Sequence, residues 1–147
     1  MAAELWLLDT NVLVAVVDAD RDSHAEAVRL FDDRRPLALT PQILREFMVV
    51  ASRPREVNGL GLTPKQAAAN ATAFASSAVT LEEDHRVALR LRQLVDHHHV
   101  AGKQIHDANV VATALVHGVR KLVTANPRDF ERFGDLIEIV LLSAGLL

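Results

Sequence analysis

The sequence predicts an α/β fold: a three-layer α/β/α arrangement around a central, mainly parallel sheet of four to five strands. Three observations carry this prediction. Short, largely apolar runs at residues 5–8, 37–39, 79–81, 121–124 and 137–140 alternate with longer segments of helical periodicity. Such alternation calls for crossover helices on both faces of a parallel sheet, with right-handed connections. The first run, Leu5-Trp-Leu-Leu8, is apolar without interruption, as a strand covered on both faces should be. A length of 147 residues suits one domain, taken as 1–147.

In order along the chain, the first strand ends at Asp9, and Thr10-Asn11 turns into a short helix over residues 10–19. Asp9 is equally readable as an N-cap, a frequent role for Asp, and as a ligand at a strand carboxyl end, where open parallel sheets bind their ligands. Ser23-His-Ala-Glu26 spells a capping box. The helix it opens turns Ala27, Val28, Leu30 and Phe31 inward, and Pro36 ends it before the strand at 37–39. Thr40-Pro41 then supplies a cap and a proline at the first helical position. On that helix Ile43, Phe47, Val50 and Ala51 form a buried stripe, with Glu46 at its margin. A lone Glu there is either a flank residue paired with Arg45 or Arg53, or an acid aimed at a site.

Residues 53–62 contain Pro54, Asn58, Gly59 and Gly61, and are expected to form a mobile loop at the site mouth. Its Arg53 and Arg55 are either solvated charges or phosphate contacts. Thr63-Pro-Lys-Gln66 is a second capping box, opening an Ala-rich helix to about Ser77. After the strand at 79–81, Val87, Leu91, Leu94 and Val95 form the inward stripe of a helix ending at His97-His98-His99. Three consecutive His on a helix cannot face one metal, so they are expected to be a solvated helix end. Between Lys103 and Arg120 the only formally charged residue is Asp107, near the start of a helix apolar on nearly every side. A helix of that kind is buried. The helix dipole favours an acid in its first turn, but an unpaired buried charge is costly, so a cation or donor is expected beside Asp107. Gly118 closes this helix, residues 121–124 form a strand, and residues 125–130 begin a short helical turn. An edge strand at 137–140 and an apolar tail over 141–147 complete the chain.

Composition narrows the function. Without Cys there are no disulfides or thiolate metal sites. No apolar run approaches the roughly 20 residues of a membrane span, and no signal-peptide pattern opens the chain, so a soluble cytoplasmic protein is expected. A formal charge of −3 excludes a basic protein that coats nucleic acid through bulk charge.

In a parallel α/β sheet, helix N-termini and strand carboxyl ends share one edge. Asp9, Glu46, Asp107, Asn126 and Asp129 all fall there. Several carboxylates brought close together need a cation, and oxygen-only ligands suit Mg²⁺ or Mn²⁺. Such a cation activates water and polarises a phosphoryl oxygen, which is the chemistry of phosphodiester hydrolysis.

These residues match a family. Leu8-Asp9-Thr10-Asn11-Val12-Leu13, Ile43-Leu-Arg-Glu46-Phe47, Ile105-His-Asp107-Ala-Asn-Val-Val-Ala112 and Leu122-Val-Thr124-Ala-Asn126-Pro-Arg-Asp129-Phe130 resemble the PIN-domain ribonucleases, specifically VapC-like toxins of bacterial type II toxin–antitoxin systems. The resemblance spans nearly the whole chain. It implies a PIN-like fold, with Asp9, Glu46 and Asp107 as the catalytic Mg²⁺/Mn²⁺ site, Thr10 and Asn11 shaping it, and Thr124 and Asn126 lining it. RNA cleavage, homodimerisation and inhibition by a cognate antitoxin are also implied. One departure is Asn126, where many family members carry an acid: its carbonyl can still coordinate the metal or hold a metal-bound water, but it neither balances a second cation nor acts as a base. It leaves Asp129 as the nearest substitute, although a structural role for Asp129, capping the turn around Phe130, is the favoured expectation. One tightly held metal is expected, with a second recruited by substrate phosphate.

Two other functions compete. Aspartate-nucleophile phosphatases need a second Asp two positions after the first, where this chain has Asn11. A degenerate PIN domain, serving as an RNA-binding or interaction module, gains nothing from clustered negative charge where phosphate must approach.

Overall fold

The computed structural model describes residues 4–143. Five strands, β1 (Trp6–Leu8), β2 (Leu37–Leu39), β3 (Val79–Thr80), β4 (Lys121–Thr124) and β5 (Glu138–Leu141), form one sheet in the order β3-β2-β1-β4-β5. Every pairing in it is parallel, so the expected mainly parallel sheet is parallel throughout. Six α-helices are seen among the described residues: α1 (Thr10–Val17), α2 (His24–Asp32), α3 (Pro41–Ser52), α4 (Pro64–Ser76), α5 (His85–His97) and α6 (Gln104–Val116). They pack in two groups, α1 with α2 and α3, and α3 with α4, against a separate α5–α6 pair. Two groups are what a doubly covered sheet requires.

Burial follows position in the sheet. β1 and β2 are buried along their whole length, as are Leu122, Val123 and Thr124 of β4, whereas β3 is exposed and β5 only half-buried. Central strands have neighbours on both sides and helices on both faces, which explains why β1 needs an uninterrupted apolar sequence. On the α1–α4 side, Phe74 meets Phe47 edge-on at 5.2 Å and Phe31 at 5.4 Å.

Local signals held unevenly. Thr40 caps α3 by accepting from the Ile43 N–H at 3.1 Å, and the Thr63–Gln66 capping box of α4 is complete in both directions. Ser23 makes no side-chain cap bond, because its backbone is not extended (ψ 15°) and does not aim the hydroxyl at the first turn. The 53–62 segment is not a free loop. It contains a 3-10 turn at Arg55–Val57, and Leu60 and Leu62 donate backbone bonds to Val50 and Ala51 of α3. Gly59 packs so tightly on the Arg53 backbone that a Cβ would stand 1.9 Å from its carbonyl oxygen. At the end of α5, His98 is half-buried rather than solvated: its ring lies 5.4 Å from that of Phe133 and its Nε2 is 3.4 Å from Asp135. Gly118 takes a positive φ after α6, as a closing residue should. Among the described residues no helix is long and apolar enough to cross a membrane. The apolar tail falls partly outside the described residues; within them Leu142 is buried.

Candidate active site

Between β1 and β4 the strand order reverses, and the crevice at such a switch point is where α/β sheets bind ligands. Asp9 follows β1 there. Its backbone N–H donates to the Val123 carbonyl at 2.9 Å, which extends the sheet by one step and places its side chain beside Thr124. Three donors reach the carboxylate: the Thr10 N–H to Oδ1 at 2.8 Å, and the Thr124 hydroxyl and Asn11 Nδ2 to Oδ2 at 2.9 and 3.2 Å. Asp9 is therefore both the N-cap of α1 and a residue facing the crevice, so the two readings of it coexist.

Thr124 and Asn11 lock this corner. The Thr124 hydroxyl donates to Asp9 and accepts from Asn11 Nδ2 and the Asn126 N–H, using its one donor and both lone pairs. Asn11 Oδ1 accepts from the Ala125 N–H at 3.0 Å.

The other acids arrive from helices. Glu46 lies in α3, with Oε2 accepting from the Thr10 hydroxyl at 3.1 Å and Oε1 from Gln42 Nε2 at 2.9 Å. Asp107 lies in the first turn of α6, and Asp129 in the 3-10 turn Pro127–Phe133. Asp9, Thr10, Asn11, Asp107, Asp129 and Arg53 line one cleft of about 470 Å³, which Arg21 and Asn58 also reach.

The cleft strains its acids electrostatically. Burial pushes the Asp9 carboxyl up to about 6, partly opposed by the bonds from Thr124 and Thr10 and reinforced by the negative charges of Glu46 and Asp129. Asp107 is pushed up to about 7, first by burial and then by Asp129, Asp9 and Glu46, with only Arg132 pulling it down. Among the described residues none of the four carboxylates has a Lys or Arg within ion-pair distance. Four hard oxygen donors with excess negative charge are the kind of set that takes Mg²⁺ or Mn²⁺. Yet no group of three His, Cys, Asp or Glu among the described residues is gathered closely enough to hold an ion. The fit is thus one of donor type and charge.

Several expectations change here. Asp129 does not cap its turn: Asn126 occupies the N-cap position, and Asp129 Oδ2 instead accepts from Asn126 Nδ2 at 3.0 Å while facing the cleft. Asn126 is exposed and off the cleft wall, so its contact with the site runs through Asp129 and Thr124. Arg53 is on the wall, whereas Arg55 is not among the residues that line it. Sequence reasoning passed over Arg21 and Gln42. Gln42 was discoverable, since it stands one helical turn before Glu46 and beside Ile43 on the inward face of α3.

Comparison with known proteins bears on the family and the fold. The PIN domain family matches residues 6–136, and the chain belongs to that family. Within it, Ribonuclease VapC43 of Mycobacterium tuberculosis (strain ATCC 25618 / H37Rv) is 33% identical over 135 residues, 88% of this chain and 90% of that protein. Two solved structures share the fold. DNA-bound VapBC from Salmonella typhimurium superposes with a TM-score of 0.68 at 23% identity, covering 97% of this chain and 100% of that one. Mycobacterium tuberculosis VapC20, described as a sarcin-ricin loop cleaving toxin, gives 0.65 at 17% identity over 90% and 95% of the two chains.

Proposed function

We propose that the protein is a Mg²⁺- or Mn²⁺-dependent endoribonuclease, the toxin of a toxin–antitoxin pair, acting in the bacterial cytoplasm. The observation that carries this reading is the meeting of Asp9, Asp107 and Asp129 in one cleft, with Glu46 tied to it through Thr10. A relative named as a ribonuclease, 33% identical, supports the reaction class, and neighbours solved as VapBC assemblies support a cognate antitoxin as partner. Homodimerisation belongs to the same proposal.

Asp9, Glu46 and Asp107 are the metal ligands in this scheme, with Asp129 as a fourth acid. A bound dication would neutralise these carboxylates, polarise a phosphoryl oxygen and acidify water for in-line attack on phosphorus. The chain supplies the positioning. Three hydrogen bonds fix the Asp9 carboxylate, and the Thr10 hydroxyl holds one oxygen of Glu46 on the cleft side. In this reading Arg53, at the wall, meets a flanking phosphate of a single strand and compensates locally for a net charge of −3, while Arg21 is paired with Asp18 at 3.1 Å.

The test is cleavage of total RNA with Mg²⁺ or Mn²⁺, the ends mapped by sequencing, with Asp9→Asn and EDTA as controls. Defined ends that vanish in both controls are expected. Equal cleavage in EDTA, or full activity of Asp9→Asn, would overturn the metal mechanism.

A further inference from the structure

We infer that Gln42 is a positioning residue for the acidic cleft, setting the placement of Glu46 and Asp107 together. The inference rests on the proposed metal site. Gln42 is only 2% exposed, although it is polar and near the start of α3. Its side-chain amide uses every group it has. Nε2 donates to Glu46 Oε1 at 2.9 Å and to the His106 carbonyl at 2.8 Å, and Oε1 accepts from Asn109 Nδ2 at 2.6 Å.

These partners identify what Gln42 does. Glu46 is one helical turn along α3, while His106 immediately precedes Asp107 in α6. One amide therefore bridges the carboxylate of one acid and the backbone that carries another, across two helices from the two separate packs. Its orientation is dictated: the nitrogen must face the carboxylate and the carbonyl, both acceptors, and the oxygen must face the Asn109 amide. The residue itself is anchored, because its backbone N–H donates to Glu83 Oε1 at 2.8 Å, and Asn109 Nδ2 also approaches Glu83 Oε2 at 3.4 Å. A buried amide of this kind orients a ligand without touching the ion, and loss of such support typically lowers metal affinity about 10–100-fold.

Mn²⁺ binding by calorimetry, with melting temperature followed in parallel, tests the inference on the full chain. Gln42→Met, which keeps the volume and removes the donors, should weaken Mn²⁺ binding about 10-fold. In a Glu46→Gln background the same substitution should cost clearly less, since its main partner is already lost. Asn109→Ala, which releases the far side of the amide, provides a milder variant and should shift affinity in the same direction if Gln42→Met fails to fold. Wild-type affinity in both single variants, or an equal loss with and without Glu46→Gln, would overturn the positioning role. Asp9→Asn separates the two layers. If it abolishes Mn²⁺ binding while Gln42→Met and Asn109→Ala leave binding unchanged, only the role of Gln42 falls. If the wild type binds no Mn²⁺, the metal site and the role of Gln42 fall together.

Discussion

The two ends of strands β1 and β4 treat charge in opposite ways. At the amino ends, Lys121 lies 3.6 Å from Glu4 and 3.8 Å from Glu138, and Arg35 and Lys121 sit over the Trp6 ring at 4.2 and 5.0 Å. Acids and bases there neutralise one another, and the cations cover an aromatic face. At the carboxyl ends, Asp9 and Asp107 have no such partners among the described residues, and burial pushes their carboxyls up to about 6 and about 7. Pairing at the first end serves the fold. Unpaired acids at the second cost stability, and acids held in that state mark a candidate functional site.

Breaking the carboxyl end should have the largest effect. Asp107 accepts no hydrogen bond among the described residues, so Asp107→Asn removes a repelled charge without stranding a donor. RNA cleavage should fall about 10³-fold, as for loss of a group that stabilises developing charge, while the melting temperature without metal rises at pH 8. A parallel loss of folding, seen by circular dichroism, would make Asp107 a structural residue instead.

Proton linkage comes next. Asp9 and Asp107 bind protons more tightly folded, at about 6 and about 7, than at the ordinary 3.8 of the unfolded chain. Their protonated forms therefore favour the fold below pH 4, and that contribution is lost as pH rises through 6 and 7. Metal-free protein titrated with urea should lose up to about 3 kcal/mol from Asp9 over this window, with Asp107 adding less because it is half exposed. Excess Mn²⁺ should flatten the slope, and a stability that instead rises with pH would refute the raised carboxyls of Asp9 and Asp107.

Asp129→Asn should have an intermediate effect. As the largest charge effect on Asp107, it should weaken Mn²⁺ binding about 10-fold by calorimetry and also slow cleavage. Unchanged binding would return Asp129 to a structural role. The smallest effect belongs to the amino end, where Lys121→Met keeps a side chain against Trp6 and breaks two long ion pairs. About 1 kcal/mol or less of stability should be lost, with cleavage unchanged.

The strand pattern, α6 and the Thr63–Gln66 box were legible because each depends on neighbours in sequence. The Ser23 box used the same alphabet and failed, because the polar break at 18–22 delivers the chain to Ser23 with the wrong ψ. Long-range partners were not legible. Asp129 accepts from the side chain of Asn126, which takes the N-cap position without a side-chain cap bond, and the loop expected to be mobile is bonded back onto α3. Arg53 and Arg55 are indistinguishable in sequence, yet only Arg53 reaches the cleft.

By itself, then, the sequence determined the parallel α/β architecture and the edge on which Asp9, Glu46, Asp107 and Asp129 gather, since periodicity and strand termini are local properties. Only the tertiary structure decided how those acids are held. The Thr124 hydroxyl, 115 positions from Asp9, and the Gln42 amide, 64 positions from His106, find their partners through the crossing of the chain at the sheet's switch point. Such hydrogen bonds depend on distances of a few tenths of an ångström between elements, and no residue spacing encodes them.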